Sequence, residues 1–323
     1  MSLLQLGWAD KARGLAKFIA VRAHERPYSI TLELTRRCNA RCDYCDHWRE
    51  PRRNELDTDG FVDVVRHFDP LSVTLCGGEP FMRRDVIDIA TGVKALPGWR
   101  YLSIITNGWF LNEARAEALL ATGIDQINVS LNWPDVRQDD DRKLPGLFAR
   151  IAHIVPWMVA RGANVQLNSI LMQDNLAEAI PIVRLAESWG ARVLFTLYSE
   201  LPAGNHRHLF PPAARERLRH LLAELRTIRR TSGVVANEDW YLEQIPRYVD
   251  GETISGCTAG KRTLHVTPEG LVRPCAELPP ITHYTQYELA AQPWTDCTAC
   301  FQACRGEAQA PIGIKRIVEY LIE

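Results

Sequence analysis

The sequence lacks an excess of charge of either sign, because its 38 lysine and arginine residues are balanced by 39 aspartate and glutamate residues. Such a balance gives no net field that would attract nucleic acid or an anionic membrane. The chain also lacks an apolar run long enough to cross a bilayer. Its start, MSLLQLGWADKARG, lacks the charged, apolar and small-residue regions of a secretion signal. We therefore expect a cytoplasmic protein that binds no nucleic acid.

Cysteine, in contrast, is abundant and clustered. Eight of the nine cysteines form two groups, at positions 38, 42 and 45 and at positions 257, 275, 297, 300 and 304, while Cys76 stands alone. A reducing cytoplasm disfavours structural disulfides, so clustered thiols there indicate metal ligands or catalytic groups.

Hydrophobic periodicity predicts an α/β fold. Short β-branched runs predict strands at 28–34, 71–77, 101–107, 125–131, 164–170 and 192–198. Amphipathic stretches predict helices near 58–68, 84–96, 112–122, 146–160 and 175–189. Each helix would be a right-handed crossover between parallel strands. Because a closed barrel usually needs eight such units, six predict a partial barrel or an open doubly wound sheet.

The two ends of the chain differ from this repeat. Residues 1–27 contain an amphipathic helix over 3–24, which we expect to pack on its own domain, with a membrane surface as the alternative. The repeat ends in a helix over 212–230. Beyond it, RTLHVTPEGLVRPC (262–275) predicts a hairpin and 311–322 a closing helix. The predicted domains are therefore 1–27, 28–234 and 235–323.

The first cysteine group follows directly on the first predicted strand. In an α/β barrel, the loop after a strand carries the chemistry. Three thiolates on one loop would leave one iron of a four-iron cube open to an outside ligand. Zinc would need a fourth protein ligand, and His47 lies two residues beyond Cys45.

Three motifs together resemble the signature of the radical S-adenosylmethionine (SAM) superfamily. CNARCDYC (38–45) has three cysteines with an aromatic residue before the third, GGEP (77–80) ends the second strand, and TNG (106–108) ends the third. The resemblance implies a partial (β/α)6 TIM-like barrel. It also implies a [4Fe–4S] cluster bound by Cys38, Cys42 and Cys45 together with SAM. Reductive cleavage of SAM would give a 5′-deoxyadenosyl radical that abstracts hydrogen from substrate, with a flavodoxin- or ferredoxin-type electron donor.

The resemblance also assigns residues to SAM. Gly77, Gly78 and Glu79 are expected to meet its methionine amino group, and Tyr44 to lie beside the adenine. Ser130 is expected at the ribose or carboxylate, and Arg142 or Lys143 would supply a cation for that carboxylate. The remaining expected cofactor-binding residues are Asn107 and Asn132, the latter standing where family members often have aspartate.

The second cysteine group resembles the auxiliary-cluster region of the SPASM and twitch subfamilies. Full SPASM domains carry about seven cysteines for two clusters, and the five present here fit one auxiliary [4Fe–4S] cluster better. The favoured ligands are Cys257, Cys275, Cys297 and Cys300, with Cys304 a substitute ligand or a free thiol. A structural zinc site is the alternative. An auxiliary cluster could accept an electron from a substrate radical or anchor the domain.

The sequence also supports predictions for two cysteines, two histidines and an acidic run. Cys76, next to the two glycines, could donate hydrogen to a substrate radical, as a cysteine does in radical SAM epimerases, and a free Cys304 could do the same. Otherwise, a lone strand cysteine is a small buried apolar group. We expect His206 and His208 to be solvated, and the acidic run 139–141 to form an exposed loop.

The first functional hypothesis is hydrogen abstraction from a small molecule, followed by dehydrogenation or epimerisation in a natural-product or cofactor pathway. Peptide modifiers often carry an N-terminal leader-binding domain, whereas residues 1–27 read as one helix. The alternatives are a radical SAM maturase of a ribosomal peptide and a non-catalytic zinc-binding protein.

Overall fold

Six parallel strands form the centre of the fold. The computed structural model describes residues 7–24, 26–49, 54–288, 295 and 297–311. The central strands are β1 (Ser29–Glu33), β2 (Ser72–Cys76), β3 (Tyr101–Thr106), β4 (Gln126–Ser130), β5 (Val165–Leu171) and β6 (Arg192–Leu197). They pair in chain order, each parallel to the next. All six strand predictions are confirmed.

Helices connect these strands and continue after them. They are α1 (Trp8–Ala23), α2 (Thr58–Phe68), α3 (Val86–Ala95), α4 (Glu113–Ala121), α5 (Arg137–Arg142), α6 (Leu147–Val159), α7 (Ala179–Ser188), α8 (Pro212–Ser232), α9 (Asp239–Val249) and α10 (Ala303–Gln309). Side-chain caps start two of them, since Asp57 accepts from Gly60 N before α2 and Asn112 accepts from Arg115 N before α4. The sequence predicts no helix at α9 or α10.

The acidic run 139–141 lies inside α5, so the prediction of an exposed loop is wrong. Asp139 accepts hydrogen bonds from the backbone N–H groups of Gly146 and Phe148, where α6 begins. Asp141 turns inward and bonds to buried residues. The tertiary partners of these two carboxylates are not visible in the local sequence.

The two faces of the parallel sheet differ in polarity. Side chains alternate between the faces of a strand, and one face is apolar and fully buried, as at Leu32 and Leu75. The other face carries polar residues paired in register from strand to strand, namely Thr31, Thr74, Ser103 and Gln126. Parallel strands covered on both faces are normally apolar on both. This polar face of the sheet is therefore suited to contact polar ligands.

The segment after residue 234 contacts both edges of the six-stranded sheet. The predicted hairpin is confirmed as β7 (Thr263–Val266) and β8 (Leu271–Arg273), followed by β9 (Thr282–His283). Strand β7 pairs in parallel with β1, so the sheet order is β6-β5-β4-β3-β2-β1-β7-β8-β9 within the described residues. At the opposite edge, Ala303 N donates to Thr196 Oγ1 (2.9 Å) and Leu197 N donates to the Tyr241 hydroxyl (2.9 Å).

Helix α1 packs on the domain through few residues. Val21 is buried, and Lys17 forms an ion pair of 2.6 Å with Asp69. Trp8 and Ile19, by contrast, are 71% and 59% exposed. In the described part of the chain, no helix is both long and apolar enough to span a membrane. The predicted closing helix 311–322 lies outside the described residues, apart from residue 311.

Candidate active site

The first cysteine loop, residues 38–45, is held by hydrogen bonds to its backbone. Arg41 Nη1 donates to Cys38 O (2.6 Å), Trp48 Nε1 donates to Cys42 O (3.2 Å), and Arg41 N donates to Arg142 O (3.1 Å). Cys42 is buried, whereas Cys38 and Cys45 are half-buried. The three thiols are therefore presented on a backbone that is already ordered.

Burial keeps the Cys38 and Cys45 thiols protonated in the absence of a ligand. It raises the pKa of Cys38 to about 11 and that of Cys45 to about 12. Because thiolates are the metal-binding form, metal uptake must release these protons.

The two glycines of GGEP are required by the backbone of the segment that enters this loop. A Cβ at Gly77, where φ is +142°, would lie 2.3 Å from Thr35 O, and a Cβ at Gly78 would lie 2.3 Å from Arg37 O. Gly78 N donates to Thr35 O at 2.7 Å. The absence of side chains thus lets the end of β2 pack directly on the approach to the cysteine loop.

Glu79 is fully buried and joins the GGEP and TNG motifs. Its Oε2 accepts from Asn107 N (2.7 Å), and its Oε1 accepts from Thr106 Oγ1 (2.8 Å) and Phe81 N (3.1 Å). Burial raises the pKa of Glu79 to about 7, although these hydrogen bonds act in the opposite direction.

Tyr44 lies in a buried polar network with three residues from the region after β4. Its hydroxyl donates to Asp141 Oδ2 (2.6 Å) and accepts from Asn132 Nδ2 (2.9 Å). The Arg142 guanidinium lies 5.5 Å from the Tyr44 ring centroid, and Arg142 Nη1 lies 3.6 Å from Cys42 Sγ. Sequence reasoning missed Asp141, because nothing in an acidic run distinguishes the one member that faces inward.

The other residues predicted to bind SAM differ in whether their side chains form hydrogen bonds with the rest of the protein. Asn132 Oδ1 accepts from Ile170 N (2.9 Å) and Asn107 Oδ1 accepts from Trp109 N (2.9 Å), so both amides help to organise the site. Ser130 is half-buried at the end of β4, whereas Lys143 is exposed in the turn after α5. Of the two proposed cations, the structure directs Arg142 toward the cysteine loop.

Two buried nitrogen donors beside the cysteines make no hydrogen bond among the described residues. They are Nδ2 of Asn39 and Nε of Arg142, the latter 3.4 Å from Asp141 Oδ2. Asn39 follows Cys38 directly, and Arg142 contacts Cys42. Buried donors without a hydrogen bond are costly unless a ligand supplies acceptors. Three thiols flanked by such donors fit an iron–sulfur cluster with a carboxylate-bearing ligand.

The alternative zinc site with His47 as the fourth ligand finds little geometric support. Among the described residues, the compact group of potential ligand atoms consists of Cys45, Asp46 and His47 and contains neither Cys38 nor Cys42. His47 Nδ1 instead lies 3.2 Å from Glu33 Oε1.

Cys76 is paired in register with Glu33 at the ends of β2 and β1. Burial, together with the nearby Glu33 carboxylate, raises the pKa of Cys76 well above its usual range. The side chain is therefore a neutral thiol with its S–H bond intact.

The second cysteine group is gathered by tertiary structure. Cys257 and Cys275 both lie within electrostatic range of Cys300, and burial raises the pKa of Cys275 to about 11. Cys257 is buried, while Cys304 is exposed but also lies within electrostatic range of Cys275 and Cys300. The buried Arg305 on α10 donates to the backbone carbonyls of Cys300 and Ile254 and so ties the loops of this group together.

His208 is buried, and the prediction that it is solvated is wrong. Its Nε2 lies 3.1 Å from Asp43 Oδ1, and its Nδ1 lies 2.9 Å from Asp174 Oδ1. Asp43 belongs to the first cysteine loop. No local sequence signal marks this contact, because 165 positions separate the two residues.

Comparisons with known proteins agree with this site. Residues 32–186 match the family model described as the radical SAM superfamily. The chain is 31% identical over 261 residues to the PqqA peptide cyclase of Methylocella silvestris, covering 77% of this chain and 68% of that relative. The chain belongs to the radical SAM superfamily.

A second relative is the PqqA peptide cyclase of Ruegeria pomeroyi, 29% identical over 304 residues, covering 88% of this chain and 78% of that protein. Among solved structures, SuiB of Streptococcus suis bound to S-adenosylmethionine has a TM-score of 0.67 at 17% identity, covering 94% of this chain and 74% of SuiB. Native anSMEcpe with bound AdoMet and Cp18Cys peptide has a TM-score of 0.63 at 15% identity, covering 81% of this chain and 78% of that one.

Membership has direct consequences for this radical SAM protein. It is an enzyme, its fold is the partial TIM barrel of the family, and its cofactors are a [4Fe–4S] cluster and SAM.

Proposed function

We propose that this radical SAM enzyme modifies a ribosomally made peptide. The observation that carries the proposal is the 31% identity, over two thirds of the relative's length, to a protein named PqqA peptide cyclase. SuiB, which shares the fold, has been solved bound to its precursor peptide SuiA. These findings favour the peptide hypothesis over the small-molecule substrate that the sequence analysis put first.

The first cysteine loop would hold the catalytic cluster through Cys38, Cys42 and Cys45. When bound, the cluster and SAM supply a 5′-deoxyadenosyl radical, which removes a hydrogen atom from the substrate. The protein's share is to bind, orient and exclude water. Reduction by a flavodoxin- or ferredoxin-type donor stays part of the proposal.

The surrounding residues would hold SAM. Arg142 offers the SAM carboxylate a cation whose Nε makes no hydrogen bond, and Asn39 Nδ2 offers a second donor. Tyr44 would border the adenine, and Ser130 the ribose or carboxylate. The amino group would meet the backbone at Gly77 and Gly78 beside the Glu79 carboxylate. Asn107 and Asn132 would act by holding Glu79, Tyr44 and their neighbours in place.

The second cysteine group would hold one auxiliary [4Fe–4S] cluster. We propose Cys257, Cys275, Cys297 and Cys300 as its ligands and Cys304, the exposed member, as the spare thiol. The 235–323 segment would then form a cluster-bearing domain on the 28–234 barrel.

Cys76 supports a second candidate outcome, epimerisation of a peptide residue. The elevated pKa of Cys76 keeps the S–H bond that hydrogen-atom donation requires. We prefer Cys76 to Cys304 for this role, because Cys76 directly precedes Gly77 and Cys304 lies among the C-terminal cysteines.

The test uses the full chain reconstituted anaerobically with iron and sulfide, then supplied with SAM, dithionite and a pool of deuterated linear peptides that includes the PqqA peptide. We expect deuterium in 5′-deoxyadenosine and a peptide that has lost two hydrogen atoms, or has exchanged one at an α-carbon in the epimerase case. Cys42→Ala is the inactive control.

Deuterium transfer from a small molecule such as an aminocyclitol, with every peptide unchanged, would overturn the peptide hypothesis. A colourless protein that binds zinc and forms no 5′-deoxyadenosine would overturn the enzymatic assignment.

A further inference from the structure

We propose that His208 is a positioning residue that fixes the first cysteine loop through contacts separate from the Arg142 network. The inference rests on the proposed function in one respect only, which is that this loop holds the catalytic cluster. His208 lies in the segment between β6 and α8, far in sequence from the loop it contacts.

The imidazole of His208 connects three loops at the carboxyl ends of parallel strands. Its Nε2 lies 3.1 Å from Asp43, in the loop after β1, and its Nδ1 lies 2.9 Å from Asp174, in the loop after β5. His208 itself follows β6 and is 3% exposed. A buried ring with a carboxylate at each nitrogen has a single orientation in which both contacts are made.

Asp43 stands directly between Cys42 and Tyr44 in the chain. Fixing its side chain therefore fixes the backbone that connects a cluster ligand to the predicted adenine contact. The His208 ring also meets the Tyr44 ring edge-on, at a centroid distance of 6.1 Å and an interplanar angle of 79°. The hydroxyl end of Tyr44 is held separately by Asp141. Tyr44 is thus restrained at its ring by His208 and at its hydroxyl by the α5 residue.

The neighbours of His208 reinforce the same contact. Asn205 Nδ2 donates to Asp43 O (3.3 Å), and the Tyr198 hydroxyl donates to Asn205 O (2.6 Å). Arg207 Nη2 also pairs with Asp43, but its side chain is 68% exposed. The Asp43 carboxylate is 43% exposed, and its ion pair with the exposed Arg207 side chain should contribute little, whereas His208 is buried and a buried hydrogen-bonding group is costly to remove. His208 should therefore carry most of the restraint.

The first test measures loop opening without any cofactor. In the cluster-free full chain, each cysteine is alkylated with iodoacetamide and quantified by mass spectrometry. We expect His208→Ala to raise the alkylation rate of the buried Cys42 roughly tenfold or more, as loss of a hydrogen bond to a charged group predicts. The rates at Cys257 and Cys275 should stay unchanged, because they report on the other cysteine group.

Matched variants separate this role from general stability. Arg207→Ala removes the exposed partner of the same carboxylate and should change the Cys42 rate less than about twofold, as expected for an exposed ion pair. His220→Ala removes an 80% exposed histidine that pairs with Glu216 at 3.1 Å and should have no effect. In a double-mutant cycle, Asp43→Asn should abolish most of the effect of His208→Ala, because the histidine acts through that carboxylate.

A second readout uses the loaded enzyme. His208→Ala should weaken SAM binding about tenfold, as loss of a hydrogen bond between the buried imidazole and a carboxylate predicts. It should also alter the change that SAM produces in the electron paramagnetic resonance spectrum of the reduced cluster, at unchanged iron content. If the alanine variant fails to fold, His208→Gln, which can keep one of the two contacts, should show an intermediate Cys42 rate.

The proposal is overturned if the foldable variant shows wild-type Cys42 alkylation, or if Cys257 and Cys275 accelerate equally. Failure of the wild-type enzyme to modify any peptide, with Cys42 alkylation responding to His208→Ala as expected, would count against the proposed function instead. The two failures are therefore distinguishable.

Discussion

The backbone N–H of Asn107 donates a 2.7 Å hydrogen bond to Oε2 of Glu79, joining the ends of β3 and β2 inside the protein. This bond connects the TNG motif to the GGEP motif. The same carboxylate accepts from Thr106 Oγ1 and Phe81 N, so one buried anion organises two turns beside the cysteine loop. Glu79 thus has a structural role in addition to any contact with SAM.

Glu79 should make the stability of the cluster-free chain depend on pH. Its folded pKa of about 7 lies above the ordinary value of 4.5, so the folded state holds the proton more tightly than the unfolded state does. The associated stability is fully present below pH 4.5 and is lost as the pH rises through 7. Chemical denaturation across this range gives the free energy of unfolding of wild type and of Glu79→Gln. As the pH rises, the advantage of wild type over the variant should narrow or reverse. A pH-independent difference would contradict the assignment.

Gly78→Ala should prevent normal packing of the cysteine loop. The new Cβ would lie 2.3 Å from Arg37 O, a backbone atom that cannot move without shifting the approach to Cys38. We expect destabilisation of about 2–4 kcal/mol and loss of the iron held by the first cysteine loop, which is about half of the total if both clusters are bound. Thermal denaturation and iron analysis provide the measurement. Gly7→Ala is the control and should be neutral, because among the described residues, its chain neighbours aside, no atom lies within 4 Å of the position that its new methyl group would take.

Arg142→Ala should weaken SAM binding more than Lys143→Ala. Arg142 contacts Cys42 and the Tyr44 ring, whereas the exposed Lys143 follows it in the turn that ends α5. Loss of a buried charge-assisted contact predicts a rise of about tenfold or more in the dissociation constant for SAM. Equilibrium binding to the reconstituted protein tests this. Equal effects of the two substitutions would show that Arg142 is not the carboxylate partner.

The two cysteine groups should differ in their tolerance of single substitutions. Cys304→Ala should retain the iron of both clusters, because the exposed thiol is the proposed spare. Cys257→Ala should lose about half of the iron, since four irons belong to each cube. Iron and sulfide analysis after anaerobic reconstitution gives the result. Iron loss in Cys304→Ala with retention in Cys297→Ala would exchange the roles of those two cysteines.

Much of the fold could be predicted from local sequence. The six strands and their connecting helices have strong periodicity, because each strand must present β-branched residues to a core and each crossover helix one apolar stripe. Helices α9 and α10 were missed. In α9, Pro246 reads as a helix break, yet it falls in the last turn of the observed helix.

Residue type, spacing and backbone freedom are local properties, and they were enough to specify the parallel strand–helix repeat, the three thiols on the loop after β1 and the two glycines that follow β2. Long-range packing was needed to select Asp141 over its acidic neighbours as the partner of Tyr44, to bury His208 against Asp43, and to bring the C-terminal segment against both β1 and β6. Each of these contacts joins residues far apart in the chain. The free energy of burying a polar group depends on its partners, and the folded topology brings those partners within hydrogen-bonding distance.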